Sequence, residues 1–212
     1  MIYQDISGKI KDIYMKACFM GLGYIGLPTA IISAKHGVDV VGVDINPRVV
    51  DVTNQGKLHI IEPGMEEMLK EVLEDGKFKA YTEPLVSDAY FIVVPTPFKG
   101  DHEPDISYVE AATKMVIPLL KEDDLYVIES TSPIGTTEKM AELIFTLRPE
   151  LENKIYIAYC PERVLPGNVI YELIHNDRVI GGLNLESTNK AIEFYSQFVK
   201  GQLHKTNCRT AE

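Results

Sequence analysis

One stretch constrains the fold of this chain more than any other. An apolar run, Ala17-Cys18-Phe19-Met20, leads directly into Gly21-Leu22-Gly23-Tyr24-Ile25-Gly26. An apolar, helix-compatible segment follows, and a second apolar run over 38–43 ends in Asp44. The order is strand, glycine turn, helix, strand, acid, which is the context a GxGxxG motif needs before it means anything. Gly21 permits the tight turn, Gly23 lets a pyrophosphate approach the backbone, and Gly26 lets the helix pack closely on the strand. The phosphates would meet free N–H groups and the positive dipole end at the helix N-terminus. An acid after a strand is often only the cap of the next helix. Here Asn46-Pro47 supplies a better start, with Asn as cap and Pro in the first turn, which leaves Asp44 for a ribose hydroxyl pair. A carboxylate at that point repels a 2′-phosphate, so NAD is favoured over NADP. Arg48, one helical turn on, is placed to stack on adenine or to soften that discrimination.

The 212 residues suit one large domain or two small ones, with enough apolar sequence for a real core. A net charge of −10 argues against nucleic acid or an anionic membrane as partner, and no apolar stretch approaches the length of a membrane span. Residues 1–16 lack a signal-peptide core and read as an extension holding one short helix. Cys18, Cys160 and Cys208 are far apart, with no CxxC; this points to the reducing cytoplasm and to no metal site.

From residue 17 onward, strand-like and helix-like segments alternate. Helices are expected over 27–36, 47–54, from Glu62-Pro63-Gly64 to Gly76, and over 107–120, 136–147 and 186–199. Strands are expected over 38–43, 90–94, 125–128, 155–159, 178–180 and 203–206. The pattern predicts an α/β fold of Rossmann type, a doubly wound and mainly parallel sheet with helices on both faces. Ligands in such sheets bind beyond the C-terminal ends of the strands. That rule gathers the glycine turn, Asp44, Pro95-Thr96-Pro97, Ser130-Thr131 and Pro161-Glu162-Arg163 along one crevice.

Thr96 is held between two prolines that free its hydroxyl and N–H for a ligand, or simply form a rigid strand exit. The Thr131 hydroxyl could orient a water or bond a carboxamide; equally, residues 130–137 could cap the following helix with the help of Glu138. Glu162 suits a general base or water-holder and Arg163 an anion grip, unless the two only form a surface ion pair with each other. The five histidines show no pairing pattern. Asp101, His102 and Asp105 have no metal-site spacing and read as a solvated loop.

The segments 21–30 (GLGYIGLPTA), 42–46 (GVDIN), 94–105 (VPTPFKGDHEPD), 129–142 (ESTSPIGTTEKMAE), 159–168 (YCPERVLPGN) and 176–182 (NDRVIGG) carry a resemblance to the N-terminal half of the UDP-glucose/GDP-mannose dehydrogenase family. The third and fifth resemble its N-acetylmannosamine branch. The resemblance implies oxidation of the sugar C6 alcohol of UDP-N-acetylmannosamine to a carboxylate, with two NAD and a cysteine-bound thiohemiacetal. It places Tyr24, Ile25, Asp44, Arg48, Thr96, Thr131 and Thr137 at cofactor positions. Thr131 and Glu162 would position the catalytic water, and Arg163 and Val164 would touch the UDP-sugar. The Gly-Gly-His-Cys segment of the family is absent, and none of the three cysteines has its context. The expectation is therefore an extension over 1–16 and an NAD-binding domain over 17–212, without the family's central and C-terminal substrate domains. Such a chain would be inactive alone, and a monomer although full-length members homodimerise. The same features would suit a stand-alone NAD-binding module, or the corresponding domain of a UDP-glucose or UDP-N-acetylglucosamine 6-dehydrogenase.

Overall fold

The computed structural model describes residues 3–4, 10–11, 15–100, 102–165 and 167–212. Its centre is an eight-stranded sheet: β1 (Lys16–Met20), β2 (Asp39–Val43), β3 (Phe78–Tyr81), β4 (Ala89–Ile92), β5 (Leu125–Ile128), β6 (Tyr156–Tyr159), β7 (Arg178–Gly182) and β8 (Leu203–Asn207). The spatial order is β8-β7-β6-β5-β4-β1-β2-β3. The first six strands are parallel and run 3-2-1-4-5-6, the order of a dinucleotide-binding sheet whose switch point lies between β1 and β4. β7 pairs antiparallel with β6, and β8 then follows β7 in parallel. The fold class is as expected from sequence. The reversal of the last two strands is new, because residue type does not encode strand direction.

Alternate residues of each central strand enter different cores, since successive side chains leave opposite faces. Phe19, Phe91 and Val127 face the side covered by α1 (Gly26–Lys35), α3 (Met65–Glu74), α6 (Val169–His175) and α7 (Leu185–Tyr195). Cys18, Tyr90 and Tyr126 face α4 (Ser107–Val116) and α5 (Thr136–Leu147). Both faces are buried, which is why β4 and β5 read as unbroken apolar runs rather than alternations. Stacked Phe19 and Phe91, with ring centroids 4.6 Å apart, tie β1 to β4 beneath the switch point.

α2 (Pro47–Asn54) begins as expected, with Asn46 Oδ1 accepting from Arg48 N at 3.1 Å. Several elements depart from the sequence reading. Tyr3–Gln4 pairs antiparallel with Ile10–Lys11, so these described residues of the extension form a two-stranded ribbon and not the expected helix. The rest of residues 1–14 lies outside the described residues, as does Asp101. β3 and α6 were not anticipated: β3 is short with an alternating burial pattern, and α6 has only seven residues. Phe98–Lys99 and Glu103–Pro104 form a small exposed ribbon where a loop was expected. Asp105 there is taken up by Ser107 N at 3.0 Å and Lys99 Nζ at 3.2 Å. Cys208 is the first residue of α8 (Cys208–Ala211). Among the described residues no group of three potential ligands could hold a metal, and no helix is long and apolar enough to cross a membrane.

Candidate cofactor and substrate crevice

The parallel strands deliver the glycine turn, Asp44, Thr96, Thr131 and Glu162 to one edge of the sheet. Gly21 adopts φ +105°, and a Cβ there would lie 2.3 Å from the Val93 carbonyl oxygen. A Cβ on Gly26 would lie 1.9 Å from the Gly21 carbonyl oxygen. These two glycines are therefore required by the fold itself. Gly23 is different: a Cβ there meets nothing within 4 Å. The backbone at Gly23 faces open space, as close approach of a pyrophosphate demands. Among the described residues, the amides of Gly23, Tyr24 and Ile25 donate to no protein acceptor, and Ile25 caps α1 without a side-chain bond. Unused donors and the positive end of a ten-residue helix thus converge on one open point, which suits an anion.

Asp44 closes the turn from the neighbouring strand. Its Oδ2 accepts from Leu22 N at 3.2 Å and its Oδ1 from Asn46 N at 2.9 Å. The carboxylate is thereby aimed across the mouth of the glycine turn, with lone pairs left on each oxygen for hydroxyl donors. Tyr24 and Arg48 are exposed beside it, while Ile25 packs against the core below.

The next two strand ends are held together by Ser130, whose role the sequence did not suggest. Its Oγ donates to the Val94 carbonyl at 2.7 Å and receives Val94 N at 2.9 Å. This joins the exit of β4, carrying half-buried Thr96, to the exit of β5, carrying exposed Thr131. The segment 130–137 does not cap α5 by its own side chains. The cap residue is Gly135, and the acceptor is the Glu212 carboxylate. Glu212 takes Gly135 N, Thr137 N and the Thr137 hydroxyl, each at 2.7 Å. Thr137 is buried and fully engaged in that contact.

Beyond the end of β6, the alternative of a Glu162–Arg163 surface pair is not what forms. Glu162 turns inward, 2.7 Å from Arg178 Nη2, with the two side chains 5% and 3% exposed. Its Oε1 takes Arg163 N at 2.8 Å, while the Arg163 residue is exposed. Oε2 approaches the guanidinium closely but off the donor axis, so it holds a charge contact without an aligned hydrogen bond. Arg178 lies over the ring of Tyr195 at 4.9 Å, and Tyr195 donates to Glu129 Oε1 at 2.5 Å. Burial pushes the Glu129 carboxyl up to about 7, against the pull of Arg178 and the Tyr195 hydrogen bond. Pro161, Glu162, Arg163, Asn176 and Asp177 line a cleft of about 320 Å³. The loop beyond it is anchored by buried Glu62, which accepts Gly167 N and Val169 N, both at 2.8 Å. Val164 packs partly buried against the core. Sequence reading missed Glu129, Arg178, Tyr195, Glu62 and Glu212. A charged residue at the end of an all-apolar strand was the available signal for Glu129 and Arg178.

Residues 15–199 match the UDP-glucose/GDP-mannose dehydrogenase family, NAD binding domain. Among curated relatives, UDP-N-acetyl-D-mannosamine dehydrogenase of Campylobacter jejuni is 50% identical over 208 residues, covering 94% of this chain and 51% of that one. The enzyme of the same name from Escherichia coli K12 is 51% identical over 201 residues, covering 91% and 48%. The solved structure of UDP-D-ManNAc dehydrogenase from Pyrococcus horikoshii superposes with a TM-score of 0.90 at 46% identity, over 93% of this chain and 48% of that one. The chain spans about half the length of the curated relatives it matches.

Proposed function

The chain belongs to the UDP-glucose/GDP-mannose dehydrogenase family, as its NAD-binding domain, and from that premise we propose that it is the cofactor half of a UDP-N-acetyl-D-mannosamine 6-dehydrogenase. The observation that carries the cofactor side is the open backbone at Gly23, facing three undonated amides beside the Asp44 carboxylate. Identity of about one half to mannosamine dehydrogenases over nearly the whole chain favours that sugar over glucose. Residues 17–212 form the cofactor unit in this reading, and residues 1–16 an extension.

Gly21, Gly23 and Gly26 shape the turn that receives the pyrophosphate, whose charge is met by the amides of residues 23–25. Tyr24, Ile25 and Arg48 flank the adenosine, and Asp44 binds its ribose hydroxyls. Thr96 and Thr131, set by Ser130, contact the nicotinamide side, and Thr137 supports that wall through Glu212. Bound NAD supplies a hydride acceptor. Thr131 and Glu162 hold the water that the second oxidation consumes, while Arg163 and Val164 meet the UDP-sugar. The cysteine of a thiohemiacetal step is not among the three in this chain. Cys18, Cys160 and Cys208 are all buried, and burial pushes the Cys18 and Cys160 thiols up to about 12. This chain alone should therefore leave UDP-N-acetyl-D-mannosamine unoxidised.

Calorimetric titration with NAD⁺ and, in parallel, NADP⁺ tests the reading. Heat with NAD⁺ alone supports the cofactor site and the selection by Asp44. Equal binding of both would remove the ribose role, and steady NADH production from the pure chain with UDP-N-acetyl-D-mannosamine would overturn the assignment of the nucleophile elsewhere.

A further inference from the structure

Thr131 is held in place by its neighbours and not by its own polar groups. Among the described residues neither its amide nor its hydroxyl bonds to protein, and the residue is exposed. Ser130, before it, is tied to Val94 by bonds of 2.9 Å and 2.7 Å. Ser132, after it, is buried. The Ser132 amide donates to the hydroxyl of Tyr159 at 3.1 Å, and the Ser132 hydroxyl donates to the Ser130 carbonyl at 2.9 Å. Further on, Thr136 donates to the Pro133 carbonyl, inside the loop, while Gly135 and Thr137 donate to the Glu212 carboxylate. From 132 to 137, the backbone amides with an acceptor outside the segment are therefore those of Ser132, Gly135 and Thr137. Tyr159 and Glu212 receive all of them.

A segment of this composition holds itself poorly. Pro133 has no N–H to give, and Gly135, at φ +94°, carries no side chain to cap the helix it starts. The two acceptors come from far off in sequence. Tyr159 ends β6 with its ring in the core shared with α5, and Glu212 follows α8. Burial, with the charge of Glu212 adding to it, pushes the Tyr159 phenol up, so the group stays a neutral hydroxyl. Tyr159 also stands three residues before Glu162 at the same strand exit. We propose that Tyr159 and Glu212 are positioning residues that clamp the loop over 131–136 from outside and so present the free amide and hydroxyl of Thr131 to the nicotinamide end of the cofactor. The use of the clamp rests on the reading of Thr131 as a cofactor contact; the clamp itself does not.

The clamp acts on one end of the cofactor only. The glycine turn and Asp44, which meet the adenosine and the pyrophosphate, lie at the exits of β1 and β2. The loop follows β5, and β4 stands between β5 and β1. Among the described residues no hydrogen bond joins residues 21–26 or Asp44 to the loop, to Tyr159 or to Glu212. A loosened loop should therefore weaken recognition of the nicotinamide and leave the ADP-ribose part alone. Damage to the whole domain would weaken both.

The test pairs amide hydrogen exchange, read by NMR, with calorimetry against NAD⁺ and against ADP-ribose. It compares the chain with Tyr159→Phe and Glu212→Gln. Phenylalanine keeps the ring in the core and removes only the acceptor of the Ser132 amide. Glutamine keeps the shape of Glu212 and removes its charge. Exchange should quicken about tenfold at Ser132 in the first variant, and at Gly135 and Thr137 in the second. In both, NAD⁺ affinity should fall about tenfold while ADP-ribose affinity stays within about twofold of the parent. Unchanged exchange in a variant would remove that residue from the clamp. Faster exchange with the parent's preference for NAD⁺ intact would overturn the positioning role, as would an equal loss of both ligands. If Tyr159→Phe does not fold, Glu212→Gln decides, because Glu212 is only partly buried. A parent that binds ADP-ribose as tightly as NAD⁺ would refute Thr131 as a nicotinamide contact, and the exchange rates alone would then judge the clamp.

Discussion

Gly23→Ala and Gly26→Ala should separate cofactor binding from folding within one six-residue motif. At Gly26 the added methyl would sit 1.9 Å from the Gly21 carbonyl oxygen and 3.0 Å from its carbon. Both atoms are backbone, so relief requires moving β1 or α1. Overpacking of that kind costs about 1–3 kcal/mol, and a domain of this size loses roughly 2–4 °C of Tm per kcal/mol. The Gly26 variant should therefore melt about 2–12 °C early, the product of those ranges. At Gly23 the methyl meets nothing, and the residue has no positive φ. Stability should stay within about 0.5 kcal/mol of the parent. The same methyl occupies the approach of the pyrophosphate to the amides of residues 23–25. Losing two charge-assisted hydrogen bonds there removes about 3–6 kcal/mol, which is a fall in NAD⁺ affinity of at least about 100-fold. Thermal melts and calorimetry on the same preparations read both effects. A Gly23→Ala protein that binds NAD⁺ as the parent does would refute the pyrophosphate site. One that melts like the Gly26 variant would refute the claim that Gly23 is free of the fold.

Three further outcomes follow from named contacts. Asp44→Ala should weaken NAD⁺ binding by ~1–3 kcal/mol, the scale of lost charged hydrogen bonds, as measured by calorimetry; an unchanged affinity would remove the ribose role. Glu62→Ala strands the amides of Gly167 and Val169 and should cost about 2–5 kcal/mol in urea unfolding, with no loss refuting the anchor. Because the folded-state pKa of Glu129 is raised from 4.5 to about 7, the folded protein binds the extra proton between those values. Its contribution to stability is therefore lost as pH rises through that window, by roughly 3 kcal/mol. Comparing unfolding free energies at about pH 5 and about pH 8 should show a parent-minus-Glu129→Gln difference that falls with pH, and a flat difference would contradict the raised carboxyl.

The parts of the fold legible in sequence were those fixed by local rules. Asn46-Pro47 announced a helix start, and Asn46 caps it. The run 125–128 announced a strand buried on both faces, and it is one. β3 escaped notice because four residues with half their side chains exposed carry little periodic signal. The reversal of β7 could not be read because direction is set by the path of α6 and its loop, not by the residues of the strand. The cap of α5 was assigned to its neighbours in sequence, but is supplied from 75 residues away by Glu212.

This division also runs through the crevice. Its cofactor side is built from backbone: glycines that fit where no Cβ can, free amides, and one carboxylate 22 residues from the amide it receives. Such a site leaves a compact trace in sequence, because each requirement falls on a residue type at a set spacing. The substrate side is held by side-chain charge across long separations. Glu62 reaches Val169 over 107 positions, and Tyr195 reaches Glu129 over 66. A buried carboxylate is tolerated only where its partners are already in place, so these residues have meaning only after folding. The two halves thus meet at the exit of β5. There Ser130 is tied to the cofactor wall through Val94, while Glu129, its neighbour, faces the buried charges behind Glu162. Glu129 and Ser130 are consecutive, so the buried charges and the cofactor wall are joined through a single peptide bond.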